Sequence, residues 1–141
     1  RRARAVGLEL RCYPSTYATA TIGGFVGGGF GGVGSVRHGT LWDGAVLAAE
    51  LLTAEAEPHA VTLGPDDLQA VIHAYGVAGV VTELTVGLAP ALPWEENVLD
   101  FEKLESALRF AYALAADEAF DKRLVSLHEP PIPSFFKPLV Q

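Results

Sequence analysis

Hydrophobic and polar positions alternate in short blocks with different periods. Residues 7–13, "GLELRCY", alternate and read as a short strand that Pro14 stops. Residues 45–55, "AVLAAELLTAE", fit two elements: Ala and Glu favour a helix, while brevity and Thr53 allow a strand. Residues 59–63, "HAVTL", alternate as a strand, so residues 54–58 make the turn of a hairpin. Residues 64–76, "GPDDLQAVIHAYG", predict a helix with Pro65 in its first turn, Asp66 and Asp67 at its positive end, and Gly76 to close it. Leu68, Val71, Ile72 and Tyr75 fall on one face of that helix. Residues 79–88, "GVVTELTVGL", are rich in β-branched side chains and predict a strand.

The two prolines of residues 89–94, "APALPW", interrupt the pattern, and a domain boundary is expected there, between residues 1–90 and 91–141. Beyond it, residues 97–101 read as a strand and residues 102–116 as a helix. Leu104, Ala107, Leu108, Ala111 and Ala115 give that helix its stripe, and Asp100 is its expected cap. Residues 123–129 read as another strand. The Pro-rich end carries Phe135 and Phe136 side by side, which need a cover. The fold class expected is α+β: a mixed or antiparallel sheet with flanking helices, followed by a partial β-α-β unit.

One stretch has no period at all. Eight of the twelve residues from Gly23 to Gly34 are glycine. A flexible linker would not interleave Phe25, Val26, Phe30 and Val33, so the run packs against something and offers bare backbone. Gly29, Gly31 and Gly34 match G-x-G-x-x-G, but more glycine precedes and no helix pattern follows, as a Rossmann turn requires. No Gly-Lys-Ser/Thr exists for a P-loop.

Composition narrows the function. With 141 residues, half of them hydrophobic, the chain can bury a core. A net charge of −7 disfavours nucleic acid as a partner. Arg1, Arg2, Arg4 and Arg11 read as a frayed end or the stump of a preceding element. A lone Cys12 permits no intrachain disulfide and fits a reducing, cytoplasmic setting. No apolar run reaches transmembrane length. His59, His73 and His128 lack partners at metal-ligand spacing, so no metal site is expected. Asp43 reads as an orienting or capping acid, and Trp42 and Trp94 as packing. No serine sits in a nucleophile elbow, so the catalytic residues stay unassigned.

An ordered series of blocks carries a resemblance. "ATIGG" at residues 20–24 precedes the glycine loop with its Gly31-Gly32 pair. Arg37-His38-Gly39, Asp43, Val46-Leu47 and "GVVTE" at residues 79–83 follow. Over about residues 8–90 this resembles the second half of the FAD-binding domain of the vanillyl-alcohol-oxidase (PCMH) type, nearest the glycolate oxidase and D-lactate dehydrogenase group of FAD-linked oxidases. His38 stands where Tyr is commoner, and "FVGGGFGG" where many relatives carry Asn and Ala.

The resemblance implies an enzyme that oxidises a 2-hydroxy acid or related alcohol by hydride transfer to flavin, a base taking the hydroxyl proton. It implies FAD contacts at Thr21, Ile22, Gly23, Gly24, Gly28, Gly31, Gly32, Ser35, Arg37, His38 and Gly39, and a backbone contact of Val81 at the adenine end. It also implies that the first half of the FAD domain and the rest of the substrate or cap domain, with the catalytic base, belong to the same polypeptide. The partners expected are therefore FAD, a small hydroxy acid and those remaining parts. Two other readings stay open. One is a non-catalytic binding or assembly module whose glycine loop packs against a partner. The other is a protein that holds a colourless nucleotide by the same loop.

Overall fold

The computed structural model describes residues 2–135. The chain divides into two units, Arg1–Leu92 and Pro93–Gln141, so the division falls inside the proline-interrupted stretch. All strand pairing is antiparallel, and the class is α+β with flanking helices.

In the first unit, β1 (Leu8–Leu10) pairs with β5 (Leu88–Pro90), and β2 (Val46–Thr53) lies between β3 (Ala60–Leu63) and β4 (Gly79–Val86). Pairing on both sides resolves the ambiguity of residues 45–55. As the central strand, β2 satisfies its backbone from β3 and β4, which local propensity could not reveal. Register irregularities at Val46/Ala48 and Glu50/Leu51 shift its alternation, so that Val46, Ala49 and Leu51 all face the core. The strand expected over residues 79–88 is broken at Gly87, which is buried; a Cβ there would lie 2.3 Å from the Gly44 carbonyl oxygen.

The core joins Phe25, Val26 and Leu41 to the inner face of β2 and to Leu63, Leu68, Val71 and Ile72. Leu68, Val71 and Ile72 are buried as the pattern predicts, but Tyr75 is not: it is 71% exposed. The expected helix is a 3-10 helix over Pro65–Ala70, and the chain leaves helical geometry at Val71. The reason is tertiary. His73 N–H donates to the Val26 carbonyl at 2.9 Å and Tyr75 N–H to the Gly27 carbonyl at 2.8 Å, which turns the chain away. Both residues take left-handed conformations at φ 54°, a cost of about 1–2 kcal/mol each for an L side chain. Tyr75→Gly relieves one of them with little packing to lose. It is expected to raise stability by about 0.5–1 kcal/mol in urea unfolding, the flexible unfolded glycine offsetting part of the relief.

Of the N-terminal arginines, Arg4 and Arg11 are tied into the fold. Arg4 pairs at 2.9 Å with Glu9, the buried acid of β1. The Arg11 guanidinium donates to the carbonyls of Leu88 (3.2 Å) and Gly44 (3.4 Å).

The second unit holds a helix over Leu104–Ala116. The strands expected over residues 97–101 and 123–129 do not form, because neither segment finds a ladder partner among the described residues. Asp100 does not cap the helix; its carboxylate accepts from Phe101 N–H at 3.0 Å, and Lys103 is the N-cap. No described side chain of this unit is buried. Phe135 is 73% exposed, while Phe136 lies outside the described residues.

Candidate functional site

The glycine run is not a loop throughout. Residues Ile22–Gly28 form a helix, α1, although four of its seven residues are glycine. Those glycines oppose the helix by about 0.5–1 kcal/mol each. Burying Phe25 and Val26 returns about 1.5–3 kcal/mol apiece. Thr21 is the N-cap, its hydroxyl accepting from Gly24 N–H at 3.0 Å. The His73 and Tyr75 amides bind carbonyls of the last turns.

After α1 the chain runs back beside residues 11–13. Tyr13 and Val33 exchange backbone hydrogen bonds of 3.1 and 2.8 Å. Ser35 Oγ accepts from Gly32 N–H at 2.8 Å and lies 3.4 Å from the buried Cys12 Sγ. A four-residue helix, α2 (Ser35–His38), ends at Gly39 with φ 76°. Arg37 and His38 therefore occupy its last turn.

A wide turn over Leu41–Ala45 follows, opened by a capping box between Thr40 and Asp43. The Asp43 carboxylate accepts from Thr40 N–H (2.7 Å) and from the Thr40 hydroxyl (2.8 Å). The amide bond first and the hydroxyl second hold its carboxyl below the ordinary 3.8, with slight desolvation opposing. A lowered folded pKa contributes stability above the unfolded pKa, lost as pH falls through the folded value. Asp43→Asn is therefore expected to destabilise at pH 6–7, and the difference from the parent to close below about pH 4. Urea unfolding across that range checks it; a gap that persists at low pH would remove Asp43 as its source.

The twelve expected contact residues sort into four places. Thr21, Ile22, Gly23, Gly24 and Gly28 belong to α1 and its cap. Gly31 and Gly32 belong to the return loop, and Ser35, Arg37, His38 and Gly39 form α2 and its end. Val81 sits on β4, partly buried against the core and opposite Leu51. The structure packs α1 beside β4, which brings the first group and Val81 to neighbouring elements. A shallow apolar depression beside α1 is lined by Leu10, Tyr13, Tyr17 and Phe25, and of the twelve only Thr21 and Ile22 border it.

The glycines divide by what a side chain would meet. At Gly29, Gly32 and Gly34 a Cβ would fall 2.5, 2.3 and 2.0 Å from the carbonyl oxygens of Phe25, Tyr13 and Arg11. The fold itself requires those three. At Gly23, Gly27 and Gly28 a Cβ would meet no described atom within 4 Å beyond the adjoining residues and the helix's own backbone. These three leave open backbone on α1 that the fold does not explain.

Sequence reasoning missed one assembly. Phe30, Trp42, His73 and Tyr75 meet at the surface. Tyr75 had a place on a buried helical face by periodicity, and only the left-handed turn puts it outside. Among the described residues no group of His, Cys, Asp and Glu side chains converges to hold a metal ion, and no helix is long and apolar enough to cross a membrane. No protein-family model matches the chain, and no curated protein matches it.

Proposed function

We infer that this chain forms part of the cofactor-binding region of an FAD-linked oxidoreductase acting on a 2-hydroxy acid or a related alcohol in the cytoplasm. The observation that carries the reading is the open glycine face of α1. Gly23, Gly27 and Gly28 forgo helix stability with no described neighbour to accommodate. A helix keeps such a face where another body approaches its backbone closely. The resemblance carried by the ordered blocks implies that this body is FAD, and three features of the site are compatible with it. Side chains are absent from the open face, Thr21 fixes the start of the helix, and Val81 lies on the strand beside it.

When bound, FAD supplies two-electron redox chemistry. The part of this chain is to bind and orient. Thr21 holds the first turn through Gly24 N–H, the Tyr13–Val33 pairing fixes the return loop, and α2 sets Arg37 and His38 at its end. The catalytic base is proposed to come from other parts of the polypeptide.

A specific observation favours a second reading, a binding or assembly module. The second unit buries no described side chain and leaves Leu104, Leu108, Phe110 and Tyr112 exposed. One experiment separates the two. The protein produced from its full reading frame is purified, its visible spectrum recorded, and any chromophore released by denaturation and identified. A band near ~450 nm with FAD released supports the oxidoreductase, since the bound cofactor supplies its chemistry. A colourless protein that takes up no added FAD overturns it and leaves the module.

A further inference from the structure

The rings of Phe30, Trp42, His73 and Tyr75 come from three separate segments: the loop after α1, the wide turn and the left-handed turn. Phe30 stands edge-on to Trp42 (centroids 6.3 Å apart, 63° between planes) and to His73 (6.1 Å, 79°). His73 tilts against Tyr75 at 4.9 Å and 58°. Such packing leaves ring faces open, and Phe30, Trp42 and Tyr75 are 53%, 41% and 71% exposed. None belongs to the core.

The backbone sharpens the point. His73 and Tyr75 hold left-handed conformations that glycine would adopt without strain. Their structural task, donating N–H to Val26 and Gly27, needs no side chain. The turn thus explains the backbone and leaves the rings unexplained. Those same hydrogen bonds tie the turn that carries His73 and Tyr75 to the last turn of α1.

We propose that Phe30, Trp42, His73 and Tyr75 form a stacking wall for the planar nitrogen heterocycle of a nucleotide cofactor. The inference rests on the FAD reading and deepens it by naming side chains for a ring. A wall of aromatic rings offers its faces to a flat π-system. Stacking of this kind tolerates different ring systems, so the flavin and adenine halves of FAD share the chemistry and the test must separate them.

The test uses the protein from its full reading frame, stripped of nucleotide, in equilibrium dialysis against FMN and, separately, AMP. Parent, Phe30→Ala, Tyr75→Ala and Tyr75→Gly are compared, each with its urea midpoint. The expected result is that one probe binds the parent and that each variant weakens it about tenfold or more. Tyr75→Ala keeps the parent's unfolding midpoint, while Tyr75→Gly raises it and still weakens binding, a pairing that a structural role would not produce. Loss confined to FMN assigns the wall to the flavin ring, and loss confined to AMP to adenine. Parent-like binding by both Tyr75 variants overturns the wall, and a yellow, FAD-releasing protein then leaves the FAD reading standing. Failure of the parent to bind either probe also overturns the wall. A colourless protein that binds AMP in a Tyr75-dependent way keeps the wall and removes the FAD reading.

Discussion

Gly34→Ala is expected to cost about 3–4 kcal/mol of stability, placing it in the severe tail of single substitutions. Two effects add. Gly34 is buried with φ 106°, where an L side chain is strained, and its Cβ would sit 2.0 Å from the Arg11 carbonyl oxygen. That oxygen belongs to backbone, so no side chain can swing aside. The neighbourhood is also bound in place by the Tyr13–Val33 pairing and by Ser35. The protein would have to part α2 from residues 11–13, which line the core through Cys12. Urea unfolding measures the loss; a cost under about 1 kcal/mol would show that this contact yields and that the tight return loop is not a fold requirement.

The second large effect carries opposite signs in two measurements. Gly23→Gln and Gly27→Gln place a straight-chain helix former on the open face of α1. Stability is expected to rise by about 0.5–1 kcal/mol for each, because no described atom opposes the side chain. Flavin retention in the protein from its full reading frame is expected to be lost, since the same side chains fill the space the cofactor would take. Substitution at Gly32 would not give this separation. Its Cβ would strike the Tyr13 carbonyl oxygen at 2.3 Å, so flavin could be lost through unfolding alone. Raised stability with normal flavin content in both Gln variants would remove the glycine face from the cofactor site.

These two glycines show how far a sequence can be read. The glycine run was legible as packed backbone because Phe25 and Val26 interrupt it, and both are buried. Which glycines serve the fold and which remain open was not legible. Gly23 and Gly34 are the same residue, and they differ in backbone conformation and in what the rest of the chain brings near them.

Local pattern alone determined the α+β class, the strand β3, the helix over Leu104–Ala116 and the buried trio Leu68, Val71 and Ile72. Each depends on contacts a few residues apart or on a period that neighbours impose. Tertiary structure decided the rest. Residues 45–55 became a strand because β3 and β4 flank them on both sides. The 3-10 helix stops short because His73 and Tyr75 give their amides to carbonyls of α1, over forty residues earlier in the chain. Residues 97–101 and 123–129, expected as strands, form none among the described residues. A strand exists only where another strand satisfies its backbone, and no local pattern can supply that partner.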